Sequence, residues 1–125
     1  MIENVTLVAF SLLFFKHFVA DFLLQGPYQF LNKGNYGHPG GILHAVIQAV
    51  GTLLVLVPYL GYSAVLLYLA IAECVIHYHV DWAKMSLNVK MDWKCDKSKE
   101  FWWLVGFDQY LHYMTYAAML LIYFG

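Results

Sequence analysis

The chain has 125 residues, of which 62% are hydrophobic and only 12% are charged, whereas a soluble domain is usually about half apolar and about one quarter charged. A domain this small has too little interior to hide so much apolar surface, so the composition favours a membrane protein with a single domain over residues 1–125. The net charge of −1 gives no sign of a nucleic-acid partner, and the two cysteines form neither a disulfide scaffold nor a metal-binding pattern.

Four apolar stretches are long enough to cross a bilayer as helices, which takes about 20 residues each. They predict an all-α fold, an integral membrane four-helix bundle, with spans at residues 5–25, 41–59, 62–85 and 101–124. We do not expect the first stretch to be a cleaved signal, because it has no basic leading segment and no small-residue cleavage site. The short connection at residues 60–61 predicts that the second and third helices are antiparallel neighbours.

The lysines predict the orientation in the membrane. Four spans place the two long linkers, residues 26–40 and 86–100, on the same side, and six of the seven lysines fall on that side with none on the other. Short basic loops stay in the cytoplasm. We therefore predict a multi-pass protein of the bacterial inner (cytoplasmic) membrane with both termini outside the cytoplasm. The linker at residues 26–40 is either a lid or a simple connection, and the sequence does not decide between them.

Each predicted span carries polar side chains, which are costly in a bilayer, by at least about 2.5–3.5 kcal/mol for Asp or Lys at a helix centre. They form i, i+4 pairs, and residues at that spacing share one helix face. His precedes Asp where the helix runs toward the cytoplasm, and Asp precedes His where it runs back. The three aspartates therefore share one level, with their histidines about 6 Å deeper. The pairs are His17/Asp21, His44/Gln48, His77/Asp81 and Asp108/His112.

Three aspartates at one level need positive charge to compensate them, or some of them must be protonated. Lys84 supplies one charge, and we expect one or two divalent metal ions to supply the rest. Ligand sets that mix imidazole and carboxylate suggest Zn, Mn or Fe. Three glutamines, Gln25, Gln48 and Gln109, are expected to orient the ligands. The predicted ligands are His17, Asp21, His44, His77, Asp81, Asp108 and His112.

Several other polar residues have structural interpretations. Lys16 and Glu73 lie one turn farther from the cytoplasm and predict a buried ion pair. Lys84 either meets a phosphate or carboxylate, or extends to the membrane edge. His79 points away from the predicted cluster, and we expect it to pack at the membrane interface. His38 lies in the flexible linker, where a solvated side chain is expected.

The segments HFVADFLLQ, HYHVDWAK and FDQYLH, together with a lone histidine that opens the second span, resemble the family called domain of unknown function 3307. Its members are small membrane proteins of bacteria and phages, and the resemblance covers nearly the whole chain. There is a weaker likeness to membrane-bound metal-dependent hydrolases. The His-x3-Asp pairs are also similar to those of the zinc-dependent phospholipase C fold, whose metals attack phosphate esters, although likeness of this kind does not establish function.

Three functions fit these observations. The first is a metal-dependent hydrolase of a phosphoester or lipid-head-group-like substrate that arrives from the cytoplasm or the inner leaflet, because a metal ion converts bound water into a nucleophile. The second is a metal-ion or proton carrier or channel, since Asp/His chains also mark ion pathways, but the apolar outer half counts against it. The third is a non-catalytic membrane interaction protein held together by polar contacts. The oligomeric state stays open. The candidate catalytic residues are Asp21, Asp81, Asp108 and Lys84.

Overall fold

The computed structural model describes residues 2–125, whose regular secondary structure is entirely helical, with no strand. Helix α3 contacts α1 and α4, and α5 contacts α4 and α1, so the four long helices pack in a closed ring. The short α2 packs on α3. The helices are α1 (Ile2–Phe18), which continues into a π-helical turn (Val19–Leu23), α2 (Pro27–Phe30), α3 (Pro39–Leu60), α4 (Ala64–Met91) and α5 (Lys99–Phe124).

Three helical segments are long and apolar enough to cross a membrane: Asn4–Leu23, Pro39–Leu60 and Ala64–Met91. Helix α5 is not among these three, although it has 26 residues, because its Asp108/Gln109/His112 segment lowers its hydropathy. Large apolar side chains cover the outside of the ring; Leu54, for example, is 69% exposed. This outward apolar surface is consistent with a membrane protein.

Local sequence explains where the long helices begin and turn. At the start of α3, the His38 side chain accepts a hydrogen bond from the Gly40 N–H at 3.0 Å. At the start of α4, the Ser63 hydroxyl accepts one from the Leu66 N–H at 3.2 Å, a frequent N-cap arrangement. Between these helices Gly61 has a φ of +84°, which glycine adopts without steric cost. The connection is short, and α3 and α4 are neighbours as predicted.

Two helices end at residues other than the ends of the predicted spans. Helix α4 continues to Met91 instead of ending at residue 85, because no glycine or proline interrupts it before Asp92, which has left-handed backbone angles. The first helix ends at Leu23 instead of residue 25. The linker at residues 26–40 also contains α2, which begins at Pro27, a favoured first residue of a helix.

The interior of the ring has two layers. One end, next to the Gly61 turn, is an apolar cluster of residues such as Leu13, Leu56 and Leu66, all at most 2% exposed. The end covered by α2 is filled instead by histidine, aspartate, lysine and glutamine side chains. Burying so many polar groups is unfavourable unless they have partners, so this polar layer is the candidate functional site.

Candidate metal centre

All seven side chains predicted as metal ligands are buried, and none is more than 8% exposed. They come from all four long segments of the ring, since Asp21 lies in the π-helical turn that follows α1. In that turn the Leu24 N–H donates to the Val19 carbonyl at 2.9 Å. Single π-helical turns occur frequently at functional sites, and this one places an aspartate against the polar layer.

Four of these side chains, from three segments of the chain, lie close together. His44 Nε2 lies 3.0 Å from Asp21 Oδ1 and 3.2 Å from Asp81 Oδ2. His77 Nε2 lies 3.1 Å from Asp81 Oδ2 and 3.8 Å from Asp21 Oδ1. Ligand atoms about 2.0–2.2 Å from a tetrahedral zinc ion are about 3.4 Å apart. Four distances among these atoms, which we call the four-ligand group, are close to that value, and the ligand atoms of Asp21, His44 and His77 all lie within 4.8 Å of one another.

Gln29 of α2 fixes which nitrogen of His44 carries the hydrogen. The Gln29 Nε2 group donates to the Leu24 carbonyl at 3.1 Å, which turns its oxygen toward His44 Nδ1, 3.1 Å away. His44 therefore donates from Nδ1, and in the neutral ring Nε2 carries a lone pair. That lone pair faces two carboxylate oxygens, an arrangement that is repulsive unless Nε2 is protonated or a metal cation lies between them.

The ring nitrogens in the four-ligand group have no hydrogen bonds. His44 Nε2 and both nitrogens of His77 are buried and have no hydrogen-bond partner among the described residues. The carboxylate oxygens near the two Nε2 atoms are close enough but lie in the wrong direction, and hydrogen bonds weaken steeply when they are bent. A buried polar group left without a partner costs about 1–3 kcal/mol. A metal ion at the centre of the group would satisfy His44 Nε2 and His77 Nε2 at once, and would leave His77 Nδ1 without a partner among the described residues.

His112 is satisfied without a metal. Its Nε2 contacts Asp108 Oδ1 at 3.1 Å and Asp81 Oδ1 at 3.3 Å with hydrogen-bond geometry. Its ring also stacks on that of His77, with the centroids 3.9 Å apart. Asp81 therefore contacts the two histidines of the four-ligand group through Oδ2, and it contacts His112 through Oδ1. A metal role for His112 stays a prediction.

Both nitrogens of His17 are also engaged. Gln109 donates to Asp108 Oδ2 at 3.1 Å, so its oxygen is the atom that faces His17 Nε2 at 2.8 Å. His17 Nδ1 lies 2.8 Å from the Tyr116 hydroxyl. Asp21 Oδ2 is 3.1 Å from the same Nε2. The structure thus brings His17 to the cluster as a hydrogen-bonding neighbour of Asp21, and its predicted role as a ligand stays a prediction.

The glutamines differ in what they touch. Gln48 donates to Asp21 Oδ1 at 2.6 Å, an orienting contact, and Gln109 contacts Asp108 as described. Gln25 instead donates to the backbone carbonyl of Asp21 at 2.7 Å. Gln29, which touches His44, was missed by the sequence analysis, because it lies in a predicted loop where helical spacing gives no signal.

Lys33 was also missed as a site residue. It was assigned to the cytoplasmic linker, but it is 6% exposed and its Nζ lies 3.4 Å from Asp81 Oδ2. Gly41 makes room for it, because a Cβ at that position would come within 2.9 Å of the Lys33 Cα. Lys84 pairs with Asp108 at 3.0 Å, the carboxylate partner that was one of its two interpretations. Two lysines against three aspartates leave one negative charge, so a single divalent ion suffices.

The predicted ion pair between Lys16 and Glu73 is confirmed. Lys16 also donates to Gln48 Oε1 and to the Tyr116 hydroxyl, both at 2.9 Å. Thr52 donates to the second oxygen of Glu73. This network forms a polar layer without net charge, which lies between the four-ligand group and the apolar cluster.

The two remaining histidines lie outside the centre. His79 is off the cluster face, as predicted, and contacts the Tyr36 hydroxyl at 2.9 Å. His38 is half-buried at the start of α3. The expectation of a freely solvated side chain there was wrong, because its imidazole caps the helix.

The sequence model of the family described as protein of unknown function (DUF3307) matches residues 9–125. The chain belongs to this family. The DUF3307 match spans every residue of the four-ligand group and confirms the resemblance seen in the motifs. No curated protein and no solved structure matches the chain significantly, so the weaker likeness to metal-dependent hydrolases has no support from relatives.

Proposed function

We propose that this protein is an integral membrane metal-dependent hydrolase of a phosphoester or similar polar-head-group substrate, with Zn, Mn or Fe as the metal. One observation carries the proposal. Buried lone pairs of His44 and His77 converge on carboxylate oxygens of Asp21 and Asp81 without hydrogen bonds. Imidazole and carboxylate are ligands that these metals share.

The proposal includes the arrangement in the membrane. All four long helices, α5 included, would cross the bilayer as a four-helix bundle, because α5 closes the ring by contacting both α4 and α1. The polar layer would lie toward the cytoplasm, on the side of the linker lysines, with both termini outside. Trp102 and Trp103, 58% and 65% exposed, suit the cytoplasmic interface, where amphipathic rings settle.

The chemistry divides between metal and protein. A bound metal ion would supply acidified water and polarise the substrate. Asp108 is outside the four-ligand group, and His112 lies between it and Asp81, in contact with both. Asp108 is therefore the carboxylate that would accept a proton from that water. Lys84, paired with Asp108, would offer positive charge to a substrate phosphate.

Ion transport is the second candidate. Polar side chains do continue outward from the four-ligand group through Gln48, Lys16 and Glu73. They end at Leu13 and Leu56, which are at most 2% exposed and belong to the apolar cluster. A conduit needs polar groups on both sides of this cluster, so hydrolysis is the better account.

The decisive experiment measures metal and stability together. Purified protein in detergent is analysed for metal content, and its thermal unfolding is followed with and without chelator. We expect stoichiometric metal and a lower melting temperature after chelation, because a ligand at one hundred times its Kd stabilises the folded state by about 2.7 kcal/mol. The paired substitution His77→Ala with Asp81→Ala should abolish both effects, whereas His79→Ala is the matched control and should retain them.

The outcomes separate the candidates. Absence of metal, with no response of the melting temperature to chelator or to added Zn or Mn, would leave the polar layer as a structural network. If metal is bound, hydrolysis of a chromogenic phosphodiester by the detergent-solubilised protein supports the hydrolase. Metal or proton flux in proteoliposomes without any hydrolysis would support the carrier instead.

A further inference from the structure

A groove between α4 and α5 opens on the outside of the helix ring and reaches Lys84 and Asp108 at the edge of the polar layer. Its volume is about 360 Å³, and at Leu111 it meets a second groove of about 330 Å³ that continues along the same two helices to Met114 and Ile122. Two charged residues, Lys84 and Asp108, line the first groove. The apolar wall of the first groove consists of Val80, Ala83, Leu87, Leu104, Phe107 and Leu111.

Lys84 has hydrogen-bonding capacity left for a ligand. An ammonium group has three N–H donors, and among the described residues the one hydrogen-bond acceptor for Lys84 is Asp108, at 3.0 Å. Lys16 lines a comparable groove between α1 and α3, but its three donors are all used, by Gln48, Glu73 and Tyr116. Of these two grooves, the α4–α5 groove is therefore the one in which a lysine still has N–H groups available to bind an anion.

The shape and the charge of the groove together indicate an amphiphile. Its long apolar part suits a hydrocarbon chain, and its charged part lies one turn from Asp81 of the four-ligand group. We propose that the α4–α5 groove admits a phospholipid from the inner leaflet, with an acyl chain along the groove and the phosphate at Lys84. This inference rests on the proposed function and names its substrate class. A water-soluble phosphoester would have no use for the apolar length of the groove.

Lipid binding can be measured directly. Delipidated protein in detergent is mixed with phosphatidic acid or with diacylglycerol, which has the same chains and no phosphate, and bound lipid is counted by native mass spectrometry. A hydrogen bond to a charged group contributes about 1.5–3 kcal/mol, so we expect phosphatidic acid to bind about tenfold more tightly or better. Lys84→Gln should remove this preference and leave diacylglycerol binding unchanged, whereas Lys84→Arg should keep it.

Groove-filling variants test the route. Ala83→Trp should weaken both lipids about tenfold, because the indole would occupy the groove. Val50→Trp, which fills the groove between α1 and α3, is the matched control and should weaken neither. Equal binding of the two lipids, equal effects of the two tryptophans, or glycerol phosphate binding as tightly as phosphatidic acid would overturn the inference.

The same samples distinguish this inference from the proposed function. Metal content is measured in every variant, and none of these substitutions touches the four-ligand group, so each should retain its metal. A protein that binds metal but shows no preference for phosphatidic acid would contradict the lipid inference alone. A protein that prefers phosphatidic acid but never holds metal would contradict the proposed hydrolase alone.

Discussion

Replacing Lys16 by Met would test how charge is balanced beneath the candidate metal centre. The side chains of Lys16 and Glu73 are 3% and 1% exposed, so the pair is dry. Removing the lysine leaves Glu73 charged without its counter-ion, and it removes the donor to Gln48 and Tyr116. Breaking a buried pair by deleting one partner costs about 3–5 kcal/mol, and we expect a loss of stability in this range.

The double substitution Lys16→Met with Glu73→Leu should cost less than either single change. Apolar replacement of a whole buried pair is often neutral or stabilising in other proteins. Here Thr52 loses its acceptor, and an unsatisfied buried group costs about 1–3 kcal/mol. We therefore expect the double variant to lose about 1–3 kcal/mol.

The free energy of unfolding can be measured by titrating the protein with a denaturing detergent and following tryptophan fluorescence. The exposed Lys90 provides the control, because Lys90→Met should stay within about 0.5 kcal/mol of the wild type. If the loss in the double variant equals the sum of the two single losses, the charges are not coupled and the reasoning fails.

Two further predictions concern the membrane topology and the glutamines beside the proposed metal site. In a Cys74→Ser background, Cys95, which is exposed, should resist a membrane-impermeant thiol reagent in intact cells and react after permeabilisation; labelling of intact cells would contradict the proposed orientation. Gln29→Leu should weaken metal binding about 10–100-fold in a chelator competition titration, because second-layer partners of a ligating histidine have effects of that size. Gln25→Leu, whose amide bonds only to backbone, should change it little, and equal losses would exclude an orienting role for Gln29.

Much of this protein could be predicted because the decisive patterns are local. Apolar runs identified the four long helices, and i, i+4 spacing identified their inward faces. The same spacing separated His79 from His77 and placed Lys16 and Glu73 at a common depth. Helix ends were harder to place: α4 extends to Met91, because the polar residues after 85 are still compatible with a helix although they end the apolar run.

Only the tertiary structure decided which of the clustered side chains have hydrogen-bond partners and which do not. Asp21 lies in a π-helical turn that no spacing rule indicated, and Gln29 and Lys33 reach the centre from a linker without helical periodicity. The lone pair of His44 depends on Gln29, whereas His17 is engaged by Gln109. Such contacts join residues far apart in the chain. These contacts depend on how the helices pack and on which side-chain rotamers that packing allows. A local sequence pattern encodes neither the packing nor the rotamers.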